Sequence, residues 1–341
     1  MVSNNIALGH LPQKEVNQLV RVISTMGLLP ILLIVIVAAL SIFEPRFLGI
    51  FNILNVLRET SFLAILAAGQ MLVLIVGGFD LSVGAVVALS STVMATVMAN
   101  TLGIMPDEVG LVIFIGVAAG IGCGVVVGLV NGLCVAYLRV SPFMVTLGTL
   151  SIASGIALLL TNGIPVYGMP KVFVNGFGRA LWLGLPTTVY VALTLVIIVW
   201  AIQRFTVLGR YIYAIGGNLQ ASQVSGVSTK RYLITAYTMC GALAAITGVL
   251  LTARVGSGQA TLGGDIMMLQ SIAAAVIAGV SLRGGIGRVE LVTLGALFLS
   301  IVTNSMNLVR IDSKIQTIVL GVIVIFAVAL EEYGNRRKIR E

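Results

Sequence analysis

Ten apolar stretches, at residues 25–43, 61–77, 81–99, 109–137, 142–161, 186–203, 232–254, 266–282, 291–308 and 315–330, dominate this chain. Most approach the roughly 20 residues that an α-helix needs to cross the hydrocarbon of a bilayer; the second and eighth are short. In lipid, backbone N–H and C=O groups find no water, so a lone apolar stretch satisfies them only by coiling into a helix. The expected fold is therefore an all-α integral membrane protein with about ten transmembrane helices. Composition agrees: 58% hydrophobic and 9% charged residues, with a mean hydropathy of +1.10, fall outside the range of soluble domains.

An even number of spans puts both ends on one side. If that side is the cytoplasm, thirteen Lys and Arg residues face it, including Arg204, Arg210, Lys230, Arg231 and the Arg336, Arg337, Lys338, Arg340 cluster, against seven outside. The positive-inside rule favours this arrangement. The organisation is then a cytoplasmic tail (1–24), a polytopic domain (25–335) and a basic cytoplasmic tail (336–341). No small-residue cleavage site follows the first apolar stretch, which reads as an uncleaved span. His10 lies in the tail and suggests no chemistry. Cys123, Cys134 and Cys240 fall within apolar stretches without metal-ligand spacing and read as free packing thiols. The net charge of +8 is spread between spans and forms no nucleic-acid module, so no nucleic-acid partner is expected.

The chain echoes itself. Asn131, then L-R-V-S at 138–141 and Leu147-Gly148, reappears as Asn304, V-R-I-D-S at 309–313 and Leu320-Gly321, at offsets of 173, 171 and 173 residues. G-G-F-D at 77–80 is echoed by G-G-D at 263–265. Spans 2–5 thus match spans 7–10, and five spans between partners make the copies opposite in orientation, the inverted repeat of many transporters.

Gly-rich breaks at matching places in two halves point to a transport site, because unwound backbone survives at membrane depth only along a cavity or inside protein. Those breaks are Gly77-Gly78 with Asp80, and Gly263-Gly264 with Asp265. Asp80 stands just before the third span, where capping its first amides and bonding Ser82 is the simpler role. Uncharged polar residues inside spans (Gln70, Asn131, Thr146, Asn162, Gln270, Ser271, Asn304, Asn307) are suited either to hydrogen-bond a neutral polyol or to bridge helices. Pathway candidates are Gly77, Gly78, Asp80, Ser82, Gln70, Asn131, Gln270 and Asn304. In the fourth span Gly116, Gly120, Gly124, Gly128 and Gly132 recur at every fourth position, a stripe that lets a neighbouring backbone approach.

Residues 204–231 form a long polar interruption with four basic residues and no acidic one. Asn218 is placed to cap a short helix through Leu219, Gln220, Ala221, Ser222 and Val224, and Gly226 to end it in the left-handed conformation. A plain connecting loop has no need of those ends, so the segment reads as a docking surface. No glycine precedes a lysine anywhere, so a G-x-x-x-x-G-K-[ST] phosphate loop is excluded and energy must come from elsewhere. The segment 162–186, with Pro165, Tyr167, Pro170 and Trp182, is expected outside, suited either to an external partner or to the membrane interface.

The string A-I-G-G-N-L-Q-A-S-Q-V-S-G-V-S, residues 214–228, resembles the cytoplasmic coupling segment of the ribose-type permeases, the membrane subunits of ATP-binding cassette importers for carbohydrates. G-G-F-D-L-S-V-G at 77–84 is similar to that family's strongest signature, with Phe79 where isoleucine is usual. A-G-V-S-L-R-G-G-I-G at 278–287 is similar to a second one, departing at Ala278, Val280 and Arg283. The resemblance implies a bacterial inner-membrane permease for a pentose, hexose or related polyol, paired with a second copy or a paralogue. It also implies two ATPase subunits that hold ATP and Mg, and a periplasmic or lipid-tethered sugar-binding protein. Coupling would fall to Asn218, Leu219, Gln220, Ala221, Ser222 and Gly226, with no catalytic residue, metal or cofactor on this chain. The competing readings are a branched-chain amino-acid permease of the same superfamily, an ion-coupled secondary carrier, and a membrane-embedded enzyme, the last without any nucleophile, base or metal constellation in its favour.

Overall fold

A computed structural model describes residues 29–340, with side chains as far as Ala329. The tail at 1–24 and the side chains at 336–341 lie outside the described residues. The helices are α1 (Leu29–Phe43), α2 (Ile50–Ile75), α3 (Val83–Ile104), α4 (Val109–Leu133, prolonged by a π-helical turn Cys134–Leu138) and α5 (Pro142–Thr161). Then follow α6 (Thr187–Phe205), α7 (Val207–Gly217), α8 (Leu219–Val224), α9 (Thr229–Val255), α10 (Gly264–Ile277), α11 (Val289–Leu308) and α12 (Ser313–Arg340). The chain is an all-α integral membrane protein. Seven of these helices are long and apolar enough to cross a bilayer, and α1, α10 and the Ser313–Ala329 part of α12 are shorter apolar helices. All ten predicted spans have a helical counterpart among the described residues.

Two of the boundaries that differ from expectation bear on the site. Helix α2 starts at Ile50, well before residue 61, because Gly49 leaves the preceding 3-10 turn Pro45–Leu48 in an extended conformation and frees the chain to coil at once. Asn52, Asn55 and Glu59 are tolerated in its first turns because they line a cavity. Helix α10 stops at Ile277, not at 282, where Gly279, Gly284 and Gly285 adopt positive φ in a tight loop to α11.

The inverted repeat is visible in which helices touch. Exchanging α2, α3, α4 and α5 for α9, α10, α11 and α12 turns the main packed pairs into one another: α2 on α11 becomes α9 on α4, α3 on α5 becomes α10 on α12, and α2 on α10 becomes α9 on α3. Gly77 and Gly263, in the two breaks, share positive φ (79° and 84°). Between Asn131 and Arg139 the first copy has two more residues than the second has between Asn304 and Arg310, and the π-helical turn lies in that longer stretch.

Helices α2, α3 and α9 are the most buried of the long spans, while α4, α5 and α6 show apolar side chains outward, as a lipid-facing ring must. The glycine stripe of α4 lies against α9. A Cβ at Gly128 would strike the Tyr237 carbonyl and one at Gly124 the Gly241 carbonyl. Helices α3 and α10 meet at their N-termini, with no room for a Cβ on Gly84 beside the Gly264 carbonyl. The two breaks thus converge from opposite ends of the bundle.

Candidate functional site

The polar segment between α6 and α9 holds two helices where the sequence suggested one. Thr206 caps α7, its hydroxyl accepting from Gly209 N at 3.2 Å. Ile212 and Ile215 turn inward, and the Tyr213 hydroxyl donates to the Gly287 carbonyl. Gln203 Nε2 donates to the Tyr213 hydroxyl at 3.0 Å, and Gln203 Oε1 accepts from Val289 N at 3.2 Å. Burial pushes the Tyr213 hydroxyl up to about 12, with Glu290 adding to the shift, so it remains a proton donor at neutral pH. Gly216 sits where any Cβ would overlap Ile75 O and Gly285 N, and Gly285 N donates to Ile75 O at 2.8 Å. One tyrosine, one glutamine and one glycine thereby fasten α7 to the end of α2 and the start of α11.

Helix α8 hangs from that seat. Asn218 Oδ1 accepts from Ala221 N at 2.9 Å, capping the first turn. At the other end Gly226, φ 80°, donates to Gln223 O at 3.0 Å, and Val227 N donates to Ser222 O at 3.0 Å, the paired bonds of a Schellman stop. Ser222 is buried, whereas Leu219 and Val224 are 45% and 90% exposed. Two apolar side chains therefore stand open on a segment of otherwise polar character.

At the far end of α2 lies a cavity of about 520 Å³, within the range of roughly 300–1,000 Å³ typical of small-molecule sites. Asn52 and Ile75, at opposite ends of α2, are separated by about 35 Å at the helical rise, so cavity and α7 seat are on opposite sides of the bundle. Asn52, Asn55 and Glu59 of α2, Gln270 of α10, and Asn304 and Asn307 of α11 supply its polar wall. Arg254, from the last turn of α9, and Thr303 also line it. Asn52 and Asn304 join through reciprocal amide bonds of 3.0 and 2.8 Å, bridging α2 to α11.

Only Gln270 and Asn304 of the eight pathway candidates line this cavity, together with Asn307. Asp80, Ser82 and Asn131 form a separate, fully buried cluster. Asp80 Oδ1 accepts from Ser82 N at 2.9 Å and from the Ser82 hydroxyl at 2.6 Å, and that hydroxyl accepts from Asn131 Nδ2 at 2.9 Å. Gly77 and Gly78 form the turn above it, with Gly78 against the Tyr237 hydroxyl. Gln70 is buried within α2, neither end of its amide having a hydrogen-bond partner among the described residues. Thr146 and Ser271 bond back to carbonyls of their own helices, and Asn162 caps α5 in a left-handed conformation.

Asn52, Asn55, Glu59, Arg254 and Thr303 went unnoticed in the sequence reading. The signal was present as spacing: 52, 55 and 59, and likewise 300, 303, 304 and 307, fall on single helical faces.

A bundle of inverted copies with a polar cavity at one end, and a capped helix held out at the other, has the build of a solute permease. The chain belongs to the family described as branched-chain amino acid transport system / permease component, whose model matches residues 52–328. Among its relatives, the ribose import permease of Escherichia coli K12 is 36% identical over 304 residues, 88% of this chain and 92% of that protein. The ribose import permease of Bacillus subtilis 168 is 35% identical over 88% and 90% of the two chains, respectively. The galactose/methyl galactoside import permease of Escherichia coli K12 is 34% identical over 90% and 94%. No solved structure matches the chain.

Proposed function

We propose that this chain is the membrane-spanning permease subunit of an ATP-binding cassette importer for a small neutral carbohydrate. The observation that carries the reading is identity of 34–36% along about nine-tenths of both chains to permeases named for ribose, galactose and allose. Geometry supports it. The polar part of the cavity wall is mostly carboxamide, which offers donors and acceptors together and so suits an uncharged hydroxylated solute. The α7–α8 unit is rigidly seated, its exposed Leu219 and Val224 ready for an apolar groove on another protein.

In this reading both termini and α8 face the cytoplasm of a bacterial inner membrane. Two ATPase subunits, which hold ATP and Mg, grip α8; a binding protein outside delivers the sugar; and a second permease copy or a paralogue completes the pair. Closure of the ATPases is transmitted from Asn218, Leu219, Gln220, Ala221, Ser222 and Gly226 through Tyr213 and Gly216 to the ends of α2 and α11. Those two helices also line the cavity, so a push at one end reaches the other.

The family's description favours one competitor, a branched-chain amino-acid solute. Uptake by membranes carrying the chain with its ATPase and binding protein, tested with labelled D-ribose, D-galactose, D-allose and L-leucine, separates the two. ATP-dependent accumulation of a sugar is expected; accumulation of leucine alone contradicts the reading.

A further inference from the structure

We propose that the cavity between α2, α9, α10 and α11 is a solute site enclosed within one protomer, and that it takes a neutral polyhydroxylated molecule. The inference rests on the carbohydrate reading and adds the place and the residues. First, several of its polar groups are free. The amide of Gln270 and the Nδ2 groups of Asn55 and Asn307 have no hydrogen-bond partner among the described residues, whereas Asn307 Oδ1 is already held by Gln316 Nε2 at 2.8 Å. The Thr303 hydroxyl is buried and also without a partner. Gln270 is half-buried and Asn55 and Asn307 are exposed, so their free groups are open to a solute in the cavity, while the buried Thr303 hydroxyl is the group that calls for a partner.

Second, the wall carries both signs of charge. Among the lining residues Glu59 and Arg254 supply one carboxylate and one guanidinium, and the Arg58 guanidinium stands behind the wall, donating to Asn55 Oδ1 at 3.2 Å. Third, Leu63, Leu251 and Met267 add an apolar side, which fits the C–H face of a sugar ring.

The inverted repeat shows how the two copies differ at this place. Around Asn131 in α4 stand Gly128 and Gly132, which draw α4 onto α9 until no gap remains. The matching places around Asn304 in α11, at the same offset of 173 residues, carry Ile301 and Ser305. The two asparagines of the repeat end in different surroundings. Asn131 Nδ2 is held by Ser82 in the buried cluster, while Asn304 lines the cavity and pairs with Asn52.

The test uses the complete transporter in liposomes, with ATPase and binding protein, and whichever of D-ribose, D-galactose or D-allose the unaltered complex accumulates. Gln270→Leu combined with Asn307→Leu removes free partners without adding charge. Each lost bond between uncharged groups costs a factor of about two to ten, so uptake should fall about fivefold or more for the pair. ATP hydrolysis stimulated by the loaded binding protein should stay within about twofold. Unchanged uptake overturns the proposal, and so does a parallel loss of uptake and stimulated hydrolysis, which marks a structural role. A second variant, Gln270→Trp, fills the cavity and should block uptake with assembly intact; full uptake there also overturns it. If the unaltered complex accumulates none of the three sugars, the carbohydrate reading fails instead, and the two failures are distinct.

Discussion

Arg139 and Arg310 hold the same left-handed backbone conformation, φ 56° and 59°, at the ends of α4 and α11, the matching helices of the two halves. Such a conformation costs a non-glycine residue about 1–2 kcal/mol. Arg139→Gly and Arg310→Gly should each leave the melting temperature in detergent unchanged or raised. Arg139→Val and Arg310→Val should each destabilise by at least about 1 kcal/mol, because a branched side chain fits this region worst. Toleration of valine at both sites would contradict the shared turn.

Adjacent glycines give a matched control for the α7 seat. Gly216→Ala pushes a methyl group into Ile75 O and Gly285 N, whereas a methyl group at Gly217 meets nothing within 4 Å. Uptake by reconstituted transporter should drop sharply for Gly216→Ala and stay near normal for Gly217→Ala. Equal behaviour of the two would remove the seat from the coupling route.

Ser82→Ala takes the shared hydroxyl from between Asp80 and Asn131. The Asn131 amide is then left buried and unpaired at that end, a loss of about 1–3 kcal/mol. Thermal unfolding should detect it, with the order of preference among solutes unchanged. A switch in preferred solute would move Ser82 from scaffold to pathway.

Asn218→Ala deletes the cap of α8 and should weaken that helix by about 0.5–2 kcal/mol, while Asn218→Asp keeps the acceptor. Binding of the ATPase subunit, measured by co-purification from membranes, should weaken for alanine and persist for aspartate. Indifference to alanine would mean that α8 need not be preformed for docking.

Much of the architecture was legible because helices in lipid have few options. Residues 142–161 were delimited to the residue, since Pro142 opens that helix and Asn162 closes it. Asn218 and Gly226 announced α8 through local backbone chemistry. Helix α7 was missed because V-L-G-R-Y-I-Y-A-I-G-G mixes arginine, tyrosine and glycines, and its helicity depends on burying Ile212 and Ile215 against other spans. The start of α2 was missed because Asn52, Asn55, Arg58 and Glu59 look like a loop to any measure of hydropathy. Their common face became apparent only once α9, α10 and α11 supplied the other walls of the cavity. Asn131 and Asn304 looked equivalent in sequence, yet the first lies sealed between Gly128 and Gly132 against α9 while the second lines the cavity.

In the proposed function α8 transmits the force of a separate motor to the passage. The most direct measurement of that role is ATP-driven uptake by transporter in which Gly226 is replaced by proline, whose ring fixes φ near −65° where this turn needs 80°. Accumulation should be lost while the protein still inserts in the membrane and the ATPase still hydrolyses ATP; normal accumulation by Gly226→Pro, or transport by the permease without any ATPase, would overturn that role.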